Sequence, residues 1–180
     1  MKLFYLETER LRLIPLPHSQ LINYLKADGS LEEQLGVHFL KRRIEPELIE
    51  AFEKVILPTV GNPSKNFLFS TLWTLVAKDK NVMVGDICFK GEPDQNGELE
   101  LAYCTYMQFQ NKGYMSEAVK TICLWALEQS GVNGIKASTD VMNAASARLL
   151  EKVGFVPAYE LSRKQFWSFS KSVPVTVERA

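Results

Sequence analysis

The stretch Gln110–Ala118, reading Gln-Asn-Lys-Gly-Tyr-Met-Ser-Glu-Ala, holds the residue types whose spacing could do chemistry. It follows a strand-like run, Glu98 to Tyr106, and opens an amphipathic pattern lasting to about Ser130, so it lies where a loop becomes a helix. Such a junction can bind an anion. Its first-turn N–H groups lack intrahelical acceptors, the helix dipole adds partial positive charge, and Gly113 lets the backbone come close to a ligand. Lys112 adds a full charge beside them. One reading is a pyrophosphate cradle, and the other is an ordinary helix start with a glycine in its turn. Neither Gly-x-x-x-x-Gly-Lys-Ser/Thr nor Gly-x-Gly-x-x-Gly occurs, which excludes a P-loop hydrolase and a dinucleotide fingerprint.

Other reactive types are less suggestive. His18 and His38 have no metal-ligand spacing, and no metal is expected. Cys88, Cys104 and Cys123 lie far apart in apolar runs and read as reduced core residues; no histidine near Cys104 in sequence would activate it as a nucleophile. Glu117 complements the dipole of the helix it opens. Trp73, Trp125 and Trp167 read as core or groove packing.

The elements that must position the turn can be taken in order. Arg10–Ile14 alternates and then meets Pro15 and Pro17, as a first strand stopped by prolines. His18–Lys26 has helical spacing through Leu21, Ile22 and Leu25. Gly29–Ile44 holds no lasting period and reads as a mobile helix and loop. Pro46 starts a helix through Ile49, Phe52, Val55 and Ile56 that should end before Pro58. Ser70–Lys78 and Val82–Lys90 form a hairpin about Asp79–Asn81, and the Glu92–Gly97 turn leads into Glu98–Tyr106, so the sheet is antiparallel here. Met115, Ala118, Val119, Ile122 and Ala126 line the buried face of the next helix, with Gly131 as its stop. A short strand at Ile135–Asp140 precedes a helix capped by Asn143, striped by Leu149, Leu150 and Val153 and closed by Gly154. Phe166–Phe169 belongs to a last aromatic strand. Strand, helix, strand in this order requires a crossover and a parallel pair, so the fold class is mixed α+β. The glycine turn then falls at the carboxyl end of a central strand, where ligands of open sheets bind.

Composition bounds the rest. A chain of 180 residues suits one domain, residues 1–180, with a sizeable core. Lys+Arg and Asp+Glu are balanced at 21 each, so net charge argues for neither a nucleic-acid nor a membrane-surface partner. No signal-like opening or membrane-length apolar run occurs, and a cytoplasmic protein is expected. A homodimer is left open.

Several pieces together resemble one family. Gln110-x-x-Gly113-x-Met115 is similar to the coenzyme A pyrophosphate motif of the GNAT acetyltransferases, Gln/Arg-x-x-Gly-x-Gly/Ala, with Met115 in place of the last small residue. Thr8-Glu9-Arg10-Leu11-Arg12-Leu13 resembles the opening strand of the subgroup that contains the ribosomal-protein N-terminal acetyltransferases. Glu100-Leu101-Ala102-Tyr103 resembles the central strand of that subgroup, and Asn111-Lys112-Gly113-Tyr114 its loop. Asn143-x-x-Ser146 with Leu150-Glu151-Lys152-Val153-Gly154-Phe155 resembles its second motif. The likeness runs from Thr8 to about Phe169.

The resemblance implies a central, mostly antiparallel sheet with a splayed parallel pair, flanked by helices, and acetyl-CoA as cosubstrate. The pantetheine amides would pair with backbone around Cys104, Thr105 and Tyr106. The pyrophosphate would meet Gln110, Asn111, Lys112, Gly113, Tyr114, Met115 and Ser116, and Asn143 would touch the pantetheine arm. The implied reaction is direct acetyl transfer to a primary amine: a protein N-terminus, a small amine or an antibiotic. A non-catalytic CoA-binding module is the alternative. An ammonium near pKa 10 must lose a proton before attack, so a general base is expected. Glu100, on one strand face with Glu98, Ala102 and Cys104, is the candidate, against a plain solvent-facing charge. Thr105 N–H is the candidate oxyanion donor. Where many family members place an acidic tyrosine this chain has Leu150, so Ser146 is named for protonating the thiolate, with Tyr159 as a weaker option.

Overall fold

The computed structural model describes residues 4–42, 44 and 46–170. Eight strands make one sheet: β1 (Leu6–Glu7), β2 (Leu11–Pro15), β3 (Leu72–Ala77), β4 (Val82–Phe89), β5 (Glu98–Thr105), β6 (Gly134–Asp140), β7 (Val156–Leu161) and β8 (Lys164–Ser170). Their order across the sheet is β1-β2-β3-β4-β5-β6-β8-β7, and every neighbouring pair is antiparallel except β5 and β6. The helices are α1 (His18–Lys26), α2 (Ser30–Leu35), α3 (Pro46–Ala51), α4 (Leu57–Val60), α5 (Tyr114–Leu127) and α6 (Ala144–Val153).

Two cores form on opposite faces of this sheet because the strands alternate. Leu11, Leu13, Trp73, Leu75, Ile87, Phe89, Leu99 and Leu101 pack with Ala118, Val119, Ile122 and Ala126 of α5 and Leu150 of α6. Ile14, Leu72, Val76 and Met83 turn the other way, onto Leu21, Tyr24, Leu31 and Phe52. The parity changes once. Leu75 pairs with Gly85 but Val76 pairs with Met83, leaving Val84 as a bulge in β4. After it, Asp86 and Cys88 face the α1 side, whereas uninterrupted alternation from Val82 would aim Asp86 at α5.

The β5–β6 pairing is short. It joins Glu98–Leu101 to Gly134–Ala137 and stops, although β6 continues to pair with β8 as far as Asp140. Beyond Leu101 the two parallel strands separate, as the splayed pair requires.

The structure differs from the sequence expectations at several places. The helix begun at Pro46 does not end before Pro58. It passes through a π-helical turn, Phe52–Ile56, into α4, where Pro58 sits in the first turn. The wider hydrogen-bond register and that position accommodate a residue with no N–H to donate. Strand β7 was not anticipated. It is exposed along its whole length and contains Pro157, which an edge strand tolerates and which accompanies a register shift against β8. Helix α5 ends at Leu127, ahead of Gly131, whose φ of +80° serves the following turn. Gly29–Ile44 contains α2 and, beyond it, a parallel bridge from His38 to Val82.

Candidate active site

A groove of about 480 Å³ opens where β5 and β6 part. Tyr103, Cys104 and Thr105 form its strand side, Gln110, Asn111 and Gly113–Ser116 its turn, and Asn143, Ser146 and Leu149 its α6 side. The N-termini of α5 and α6 both reach it.

Backbone polarity decides what the strand offers. Lys90 N–H donates to Glu100 O at 2.9 Å and Tyr106 N–H to Val84 O at 3.0 Å, so even-numbered residues of this segment bond to β4. By antiparallel alternation Tyr103 and Thr105 direct their backbone groups to the other side. There β6 has already left, so those groups face the groove. Thr105 is thereby a sound site for an amide partner or an oxyanion donor. Tyr106 is not: its N–H is committed to β4 and it does not line the groove. Cys104 lines the groove, but its backbone faces β4.

The turn is shaped by positive φ at Asn111 (60°) and Gly113 (77°). Gly113 is the N-cap of α5 and no side chain caps the helix, which leaves the first-turn N–H groups turned toward the groove. Met115 replaces a small residue without crowding this turn. It is buried, and its Cε would lie 3.2 Å from a Cβ at Gly85, so the long side chain runs under the sheet into space that Gly85 vacates. Lys112 does not line the groove. Its ammonium stands over the Phe109 ring, 5.2 Å from the centroid, which directs the charge away from the turn's N–H groups. Gln110 donates to Thr105 O at 3.4 Å and braces the strand end against the turn.

The opening strands fasten the turn from behind. Glu117 Oε2 pairs with Arg10 Nε at 2.7 Å, and Oε1 accepts from Arg10 N–H at 3.0 Å and from the Thr8 hydroxyl. Arg10 also donates to Lys112 O at 3.0 Å and lies over the Tyr114 ring, 4.9 Å from its centroid. Burial pushes the Glu117 carboxyl up, but these hydrogen bonds and the guanidinium outweigh it and hold its pKa below the ordinary value. Glu117 therefore clamps the turn in addition to complementing the dipole.

On α6, Asn143 Oδ1 accepts from Ser146 N–H at 3.1 Å, the cap expected from the sequence. Ser146 Oγ lies 2.7 Å from Tyr103 Oη. Burial raises the Tyr103 phenol and the bond to Ser146 draws it back. Sequence reasoning did not single out Tyr103 as a groove residue; the departure of β6 uncovers it. Arg148 and Lys152, one helical turn apart on α6, line the groove as well. Their i, i+4 spacing beside the Leu149–Val153 stripe was the available signal for these two charges.

The remaining candidates lie elsewhere. Glu100 does not line the groove; it pairs with Lys90 across β4. Leu150 is fully buried in the core, and Tyr159 is exposed, stacked on Phe166 with centroids 4.5 Å apart. The cysteines are not uniformly core: Cys123 is buried, Cys88 half-buried and Cys104 exposed in the groove. Burial pushes the Cys88 thiol up to about 11. Among the described residues, no helix is long and apolar enough to cross a membrane.

A curated relative, an uncharacterized N-acetyltransferase YjdG of Bacillus subtilis (strain 168), is 30% identical over 167 residues, covering 91% of this chain and 96% of the relative. Among solved structures, RimL, a ribosomal L7/L12 alpha-N-protein acetyltransferase in complex with coenzyme A, superposes with a TM-score of 0.64 at 14% identity, covering 93% of this chain and 98% of that one. The microcin C7 self immunity acetyltransferase MccE, in complex with acetyl-CoA and AMP, gives 0.59 at 14% identity, with 91% and 93% covered. The acetyltransferase (GNAT) domain model matches residues 11–156, from β2 through the groove to the start of β7, and the chain belongs to the GNAT family of N-acetyltransferases.

Proposed function

We propose that this chain of 180 residues is a single GNAT domain that binds acetyl-CoA in the groove and transfers the acetyl group directly to a primary amine, with a protein N-terminal α-amine as acceptor. The observation that carries the reading is the end of β5–β6 pairing at Leu101, which opens strand amides beside the uncapped start of α5. An extended arm with amides followed by a pyrophosphate matches that sequence of partners. RimL, named for protein α-amine acetylation, supports the acceptor class as a structural neighbour.

In this reading the 111–116 turn, with Gln110 beside it, cradles the pyrophosphate, and Arg148 and Lys152 add charge from α6. Tyr103 N–H and C=O and Thr105 C=O pair with pantetheine amides, and Asn143 borders the arm. Lys112 contributes its backbone to the turn, and Cys104 and Tyr106 contribute side-chain surface on the acceptor side. Thr105 N–H meets the oxyanion. Glu100 is the base, reached from the amine through a chain of water molecules. It lies four residues before Cys104 on the same strand face, about 13 Å along the strand, and must leave Lys90 as the acceptor ammonium approaches. Ser146, backed by Tyr103, returns a proton to the leaving thiolate, which needs little help because a thiol has a pKa of about 8.5.

The test has two stages. Coenzyme A at about 100 times its Kd should stabilise the fold by about 2.7 kcal/mol; no shift refutes cofactor binding and the reaction together. Acetyl-CoA-dependent thiol release is then followed with N-terminal peptides, polyamines and aminoglycosides. Turnover of peptides alone supports the α-amine reading, turnover of small amines alone replaces the acceptor class, and stabilisation with no turnover supports a binding module.

A further inference from the structure

The sheet face opposite α5 carries a buried polar cluster that acetyl transfer, as set out above, leaves without a task. Asp86 is 5% exposed and is turned to this face by the Val84 bulge. Its Oδ2 accepts from Tyr24 Oη at 2.7 Å and from Tyr106 Oη at 2.8 Å. Arg42 lies over the Tyr24 ring, 4.5 Å from its centroid, donates to Tyr24 O at 3.0 Å and pairs with the buried Glu32. Among the described residues, four buried polar atoms of this cluster find no hydrogen-bond partner: Asp86 Oδ1, Thr74 Oγ1, Glu32 Oε2 and Arg42 Nε. Thr74 faces Asp86 directly in the β3–β4 register. Buried polar atoms are ordinarily satisfied, so this concentration points to a polar group arriving from outside or to bound water.

Position relates the cluster to the reaction. Asp86 is the register partner of Cys104, in a pair whose Cα atoms stand about 5.5 Å apart. It is thus the carboxyl one cross-strand step from Cys104, the residue before Thr105, whereas Glu100 lies four residues from Cys104 along β5. Of the two tyrosines that bond to Asp86, Tyr24 is buried and Tyr106 is partly exposed. A hydroxyl that donates its proton to a carboxylate presents lone pairs outward, and the carboxylate's charge strengthens them as acceptors.

We propose that Tyr106, its hydroxyl proton held by Asp86, receives an N–H of the acceptor amine beside Cys104 and so orients the nitrogen for attack, with Asp86 and Tyr24 as positioning residues. This seat selects a primary amine as N–H donor and rests on the acetyl-transfer reading. It leaves the proton's final acceptor, Glu100, unchanged.

Steady-state kinetics with three probes, an N-terminal peptide, spermidine and kanamycin, test it. Tyr106→Phe removes one oxygen and should raise the acceptor KM on the order of tenfold while leaving the acetyl-CoA KM and the thermal shift with coenzyme A unchanged. Asp86→Asn should do the same, and the double variant should be no worse than the stronger single one, because the two act through one hydrogen bond. An acceptor KM within twofold of wild type for Tyr106→Phe overturns the proposal. So does an equal rise in both KM values, or additivity of two folded variants, which are the signatures of a structural role. If Asp86→Asn does not fold, Tyr106→Phe alone decides. Failure of the wild-type chain to turn over any of the three amines, with coenzyme A stabilisation intact, refutes the amine seat but leaves cofactor binding standing.

Discussion

Gly85 is the position at which a single added carbon should separate fold from chemistry. A Cβ there would lie 2.5 Å from Cys104 O and 3.2 Å from both Thr105 Cα and Met115 Cε. The first contact is with backbone and below any tolerable separation, so Gly85→Ala must push β5 away from β4 at the residue that faces the groove. Overpacking of this kind costs about 1–3 kcal/mol. For a domain of this size each kcal/mol moves Tm by about 2–4 °C, so the melt should fall by about 2–12 °C. A displacement of a few tenths of an ångström at Thr105 N–H should also lower kcat by about tenfold or more, given that about 1 Å of misplacement can cost 10²-fold. Differential scanning calorimetry and thiol release measure the two effects. Adding Met115→Ala relieves the methionine contact but not the carbonyl clash, so it should restore little of either. A Gly85→Ala protein with wild-type Tm and kcat would show that β4 does not press on β5 at this point and would refute the coupling of this contact to the position of Thr105 N–H.

Glu100→Gln should lower kcat/KM by about 10²-fold or more if the carboxylate takes the amine's proton, and a near-normal rate removes it from that role. Ser146→Ala should lower kcat with little change in either KM; a matching loss in Tyr103→Phe, and no further loss in the pair, would be expected of two hydroxyls that share one hydrogen bond. Arg148→Ala and Lys152→Ala should each weaken coenzyme A binding by about 1 kcal/mol at low salt and by less as salt rises; isothermal titration at two ionic strengths checks this, and a salt-independent loss contradicts the charge argument. Glu117 has a depressed folded-state pKa, so its contribution is present above the unfolded value near 4.5 and is lost as pH falls through the lower folded value. The Tm gap between wild type and Glu117→Gln should therefore close on acidification below about pH 4.5, and a gap constant from pH 7 to 3 refutes the clamp.

What the sequence determined by itself was local. The Gly113 turn, the Asn143 cap, the Gly154 closure and the 3.6-residue stripes of α5 and α6 are set by residues within a turn or two of one another, and they stand where the chain order put them. Those features place the two helix starts beside the β5–β6 gap. The tertiary structure decided which groups face that gap. Thr8 and Arg10 meet Glu117 across more than a hundred residues. Met115 is harmless because Gly85 lies beneath it, and Lys112 is drawn aside by a ring three positions earlier. Period-2 reasoning could not foresee the Val84 bulge, and that one extra residue turns Asp86 from the α5 face to the side where Tyr24 and Tyr106 converge on it. Likewise, Tyr103 reads as an ordinary strand residue until β6 departs, and Thr105, singled out through the family resemblance, has its backbone opened by that same departure. Whether a strand amide is paired or open depends on its neighbour in space, and alternation along one strand carries no record of where that neighbour ends.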